Sequence, residues 1–103
     1  MTHKQLKQAI IREFRTRGDM RIWPNEPGRT QIKGRWLQFG LKGQADITGI
    51  MLGGRRVEIE VKVGRDKQKP DQKNYQSVIE RMGGLYVLAR SVDDVREALK
   101  GEQ

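Results

Sequence analysis

Cysteine is absent from the 103 residues and histidine occurs once, as His3. These absences remove disulfides, thiolate nucleophiles, Cys-type zinc sites and histidine-rich metal centres, and they leave Ser-His-Asp or Cys-His catalysis without its parts. A metal bound by this chain is held by oxygen, which suits hard cations, chiefly magnesium, manganese or calcium. His3, close to the terminus, reads as a surface residue. No apolar run approaches the roughly 20 residues of a membrane span, and MTHKQLKQ lacks the apolar stretch of a signal peptide, so a cytoplasmic protein is expected. A glycine-rich phosphate loop followed by Lys-Ser/Thr is missing too. Apolar residues make up only 35% of the chain. That is enough for one modest core, so residues 1–103 read as a single domain, and pairing with a second copy would bury more surface.

What is present in excess is positive charge. The 21 Lys and Arg against 13 Asp and Glu give a net charge of +8, spread along the chain and not gathered in a tail. Cations that neutralise phosphates release condensed counterions, so nucleic acid is the first expected partner and an anionic membrane surface the second.

Periodicity orders the chain α-β-β-β-α-β-α. Leu6, Ile10 and Phe14 recur at helical spacing from Thr2, a candidate N-cap, to about Arg17, with Gly18 as the stop. Met20 to Trp23 reads as a short strand stopped by Pro24, with Trp23 in the core. The stretch NEPGRTQIKGRWLQFGLKG reads as a long basic loop. Ala45 to Leu52 and Arg55 to Val63 read as a hairpin around Gly53-Gly54. Tyr75, Val78, Ile79 and Met82 have helical spacing up to Gly83-Gly84. Leu85 to Ala89 is a short apolar strand expected at the centre of a sheet, and Ser91 to Asp94 has capping form ahead of a final helix.

In the second hairpin strand Val57, Ile59, Val61 and Val63 take one face while Glu58, Glu60 and Lys62 take the other. Taken alone, this pattern describes a solvated strand face better than a site. If the hairpin turned on two residues, Asp46 would oppose Val61 and point into the apolar face. A three-residue loop, Leu52 to Gly54, would pair Met51 with Arg55 and bring Asp46 opposite Glu60. Two carboxylates held together repel unless a cation or proton intervenes. Asp46, Glu60 and the Val61 carbonyl could then hold a metal, with Lys62 beside them as a donor to a phosphate or a water.

These elements resemble the PD-(D/E)xK nuclease superfamily, and within it the VRR-NUC family in its compact phage-type form. The resemblance is carried by GQAD ending at Asp46, EVK at Glu60 to Lys62, KPDQ ending at Gln72, GGLYVLARS from Gly83, and Asn25 after the first strand. It implies a restriction-endonuclease-like αβββαβ core with a mixed central sheet and a C-terminal helix. It also implies Mg2+ or Mn2+ dependence, and homodimers that cut branched DNA in the manner of Holliday junction resolvases, in a bacterial host if phage-encoded. By position, Asp46, Glu60 and the Val61 carbonyl would bind metal, Lys62 would assist catalysis and Gln72 would support the site. Two departures stand out. Ala45 replaces the proline before Asp46, and Lys7 stands where relatives place a helix carboxylate, for which Glu13 is the available substitute. Arg35, Lys42, Arg65, Lys67, Lys69 and Lys73 are the expected DNA-binding cations, and Trp36 and Phe39 are expected in DNA or dimer contacts. The alternatives are a non-catalytic DNA-binding module and a structural partner in a phage replication complex.

Overall fold

The computed structural model describes residues 1–25, 29–38 and 42–102, with the backbone alone described for 29–32 and 35–38. Helix α1, His3–Phe14, opens with a capping box: Thr2 Oγ1 accepts from the Gln5 amide at 3.1 Å, and Gln5 Oε1 accepts from the Thr2 amide at 2.9 Å. It ends at Phe14, well before Gly18. Strand β1 spans Met20–Pro24, β4 Ile47–Met51, β5 Arg56–Val61 and β6 Leu85–Ala89, with α2, Pro70–Arg81, between β5 and β6 and α3, Val92–Lys100, last. Ser91 caps α3 by accepting from the Asp94 amide at 3.1 Å.

The four strands form a mixed sheet in the order β1-β4-β5-β6. β4 pairs antiparallel with β1 and β5, and β6 is parallel to β5. A parallel partner requires a crossover, which α2 supplies. Leu6, Ile10 and Phe14 of α1 and Val95 and Leu99 of α3 pack on Ile22, Ile47, Val57, Ile59, Val61, Val87 and Ala89 in the main core. Each such side chain taken fully out of water contributes about 1.5–3 kcal/mol. On the opposite face Tyr75 and Ile79 of α2 meet Ala45 and Tyr86 in a smaller cluster.

Three expectations need correction. The long basic loop contains two strands, β2, Arg29–Ile32, and β3, Arg35–Gln38, paired antiparallel as a separate two-stranded sheet. Ile32 pairs with Arg35, so Lys33-Gly34 is the whole turn, and both residues have positive φ, 51° and 79°. Backbones of that kind favour Asn-Gly, and Lys-Gly conceals the signal. Second, β6 is an edge strand. Its apolar run reflects helices on both of its faces, not a central place in the sheet. Third, Trp23 is exposed, because it falls on the face of edge strand β1 opposite the main core. The helical spacing expected for residues 75–82 holds: Tyr75 and Ile79 of α2 are buried while Val78 and Met82 are exposed, so the buried stripe of that helix is narrow.

Among the described residues no helix is long and apolar enough to cross a membrane.

Candidate functional site

The hairpin register decides which side chains meet. Ile47 pairs with Ile59 and Ile50 with Arg56, and the Met51 amide donates to the Arg55 carbonyl at 2.7 Å. The connection is therefore Leu52-Gly53-Gly54, with positive φ of 88° and 85° at the two glycines. One step beyond Ile47 and Ile59, Asp46 stands opposite Glu60, on the face that also carries Thr48 and Glu58. The arrangement expected from strand arithmetic is the one observed.

Asp46 is fixed on several sides. Its Oδ2 accepts from the Val61 amide at 2.8 Å, so a side chain takes over the ladder where β4 begins. Its carbonyl accepts from the Asn25 amide at 2.8 Å, and Asn25 Nδ2 donates to the Ala45 carbonyl at 3.2 Å. Gly43 lets this segment approach α2: a Cβ there would lie 2.2 Å from the Asp71 carbonyl oxygen.

The polar face of β5 is not solvated, contrary to what the strand pattern alone suggests. Glu58, Glu60 and Lys62 are all buried, because α2 folds over this face. Glu58 is compensated at one oxygen, which takes the Tyr75 hydroxyl and an Arg56 guanidinium at 3.2 Å, while its other oxygen is buried without a partner. Burial and the bond to Glu58 push the Tyr75 phenol up to about 12. Glu60 differs. It is 1% exposed and neither carboxylate oxygen has a hydrogen-bond partner of ordinary geometry, although the Tyr86 hydroxyl and the Gln68 amide come close enough to favour its charged form. Burial first, and then the Asp46 charge, hold its carboxyl above the ordinary glutamate value, while Tyr86, Lys62 and Gln68 offset part of the rise. The Tyr86 phenol is likewise pushed up, by burial and by the Glu60 charge, and its oxygen accepts from Gln68 Nε2 at 3.4 Å.

Lys62, 7% exposed, donates from Nζ to Gln72 Oε1 at 3.0 Å, and the same oxygen accepts from the Lys69 amide at 2.7 Å. Gln72 thus ties the lysine to the start of α2. This is a support role in geometric terms, and it arises because Gln72 occupies the third position of the helix and reaches back to the amide of the N-cap residue Lys69.

Three participants escaped the sequence reading. Gln68 and Tyr86 flank Glu60: Gln68 has no local motif to mark it, and Tyr86 lies in GGLYVLARS without any feature that singles it out. His3, expected as a surface residue, is half-buried with Nε2 3.3 Å from Asp46 Oδ2. Only the packing of α1 against the sheet brings them together. Glu13 does not approach this cluster. It pairs with Arg96 of α3, ten residues and about 15 Å along α1 from His3.

Chemically, Asp46, Glu60 and the Val61 carbonyl are hard oxygen donors, and two unpartnered buried carboxylate oxygens suit a divalent cation. Among the described residues no group of three or more His, Asp and Glu converges as a metal cluster. Lys42, Arg65, Lys67, Lys69 and Lys73 are exposed. Arg90 braces the loop after β5 by donating to the Asp66 carbonyl at 2.7 Å. The side chains of Arg35 and Trp36, and all of Phe39, lie outside the described residues.

No family model matches the chain, and no curated protein matches it. The family resemblance therefore stands on the motif residues themselves.

Proposed function

We propose that this chain is a metal-dependent endonuclease that hydrolyses phosphodiester bonds in DNA, branched DNA in particular, and acts as a homodimer. The observation that carries the reading is Glu60: a buried carboxylate with no hydrogen-bond partner, facing Asp46 and two residues from a buried lysine. Such a group is costly in a fold that needs only stability, and it gains a purpose when a cation or a reacting phosphate enters. The mixed sheet, with α1 and α3 on one face and α2 on the other, accords with a restriction-endonuclease-like core of VRR-NUC type.

A magnesium or manganese ion held by Asp46, Glu60 and the Val61 carbonyl would supply Lewis acidity toward the phosphate and a more acidic water. The protein's own part is positional. The Val61 amide and His3 fix the Asp46 carboxylate. Gln72 aims the Lys62 ammonium, whose charge favours the extra negative charge that develops on the phosphate during displacement. The exposed cations from Arg65 to Lys73 follow β5 directly and would hold the backbone of the cut strand.

The helix carboxylate missing at Lys7 is not replaced by Glu13, which is engaged with Arg96. That favours, as the second reading, a module that binds DNA without cutting it. Labelled flaps, forks, four-way junctions and blunt duplex, incubated with Mg2+ or Mn2+, separate the two. Cleavage by the wild type that is lost in Lys62→Ala supports the nuclease. Tight binding with no cleavage of any substrate under either metal rejects it.

A further inference from the structure

Among the described residues, the face of the sheet that carries Asp46 and Glu60 is only partly roofed. α2 covers it over β5 and β6, where Tyr75, Ile79 and Tyr86 pack together. Over β4 and β1 the same face presents Trp23 beside Thr48 and Arg21 beside Ile50. Trp23 is 48% exposed and Ile50 47%. Arg56 lies across from Ile50 and remains 55% exposed despite its pairing with Glu58. It lines, with Lys42, Asn74, Tyr75 and Val78, a concavity of about 410 Å³ against α2.

This strip adjoins the site directly. Two residues after Trp23, the Asn25 amide donates to the Asp46 carbonyl at 2.8 Å. Trp23 and Asp46 are one strand and one side-chain row apart on the same face, roughly 8 Å between Cα atoms on standard strand spacings. An exposed indole among cations, within a nucleotide's reach of the carboxylates, has the form of a stacking platform.

We infer that Trp23 stacks on an unpaired base adjoining the phosphate that a cation on Asp46 and Glu60 would engage, with Arg21 and Arg56 holding the neighbouring backbone. The inference rests on the nuclease reading for the scissile phosphate, though not for the contact with nucleic acid itself. It sets the substrate class: a blunt duplex keeps its bases stacked inside and offers nothing to the indole, whereas a flap or a splayed end does. A second copy of this chain is the rival occupant. A two-fold interface would set this strip against itself and oppose Arg21 and Arg56 to their own copies in a chain of net charge +8, whereas a polyanion neutralises them.

Anisotropy titrations in EDTA, with a single strand, a 5′-flap and a blunt duplex as DNA probes, test this. Trp23→Ala weakens binding of the single strand and the flap by about fivefold or more and changes the duplex less than about twofold, and Trp23→Phe retains most of the affinity. In a Trp36→Phe background, the remaining indole emission is quenched by the single strand and not by the duplex. An equal change on all three probes, or none, overturns the inference. So does dissociation of a dimer by Trp23→Ala with an unaltered preference among the probes, which assigns the strip to a second copy. If the wild type cleaves nothing with Mg2+ or Mn2+ while Trp23 still discriminates, the nuclease reading fails and this one stands. If the wild type cleaves and Trp23 is silent, the reverse holds.

Discussion

Replacing Glu60 with glutamine should make the metal-free protein more stable, the reverse of what most substitutions at buried positions do. Glu60 is 1% exposed and both of its oxygens lack partners. A charged group in that state costs about 1–3 kcal/mol or more relative to one whose bonds are made. Tyr86, Lys62 and Gln68 partly offset the cost, yet the Lys62 ammonium is bonded to Gln72 and not to Glu60. The balance is visible in the carboxyl itself, which is held above the ordinary glutamate value with burial as the leading cause. Glutamine keeps the shape and removes the charge, so the gain is about 1–3 kcal/mol. In a chain of this size each kcal/mol moves Tm upward by roughly 4–8 °C.

The pH dependence follows from the direction of that shift. Below the ordinary value of 4.5, Glu60 is protonated in folded and unfolded chains alike and costs nothing. As pH rises past it, the unfolded chain releases the proton first, so the wild type loses stability until the folded carboxyl also ionises. The gap between Glu60→Gln and wild type should open across that interval and then level off. Thermal melts by circular dichroism in EDTA, from acid to neutral pH, measure it. Manganese should close or reverse the gap, since a ligand at 100 times its Kd stabilises the folded wild type by about 2.7 kcal/mol and leaves Glu60→Gln nearly unmoved. A Glu60→Gln protein that melts at or below the wild type at neutral pH without metal refutes the account of Glu60 as an uncompensated charge.

Asp46→Ala and Lys62→Ala should each reduce cleavage of branched DNA by about a hundredfold or more with binding retained, as read by gel assays and anisotropy on the same preparations. Magnesium or manganese should raise the Tm of the wild type and leave that of Asp46→Ala almost unchanged, and equal shifts would place the cation elsewhere. Gly43→Ala should cost about 2 kcal/mol or more in urea unfolding, because φ is +80° and the new Cβ would meet the Asp71 carbonyl. Glu13→Ala should cost less than about 1 kcal/mol, as expected for a surface ion pair with Arg96, and leave the cleavage rate unaltered; a large loss of rate would return Glu13 to the site.

The parts of this molecule that were legible in the sequence are those set by neighbours in the chain. Thr2 and Ser91 cap their helices, Gly53 and Gly54 accept a turn that other residues would resist, and that turn alone puts Asp46 opposite Glu60. What stayed hidden depends on contacts between distant segments. Alternation along β5 shows that its two faces differ in kind, but not which of them meets water. Glu58, Glu60 and Lys62 are buried because β6 returns parallel to β5 and so forces α2 across their face. The same crossover leaves β6 at the edge, although its apolar run suggests a centre. His3 reaches Asp46 only through the packing of α1, and nothing in MTHKQL announces it. The strands β2 and β3 turn on Lys33-Gly34, where the backbone asks for a residue the sequence does not use. The most informative disagreement lies at β5. A polar row on a strand with helices over both faces contradicts the rule that such strands are apolar throughout. Where a sequence violates its own fold at one place and obeys it elsewhere, the violation is the place to look for function, and here it falls on Glu60 and Lys62.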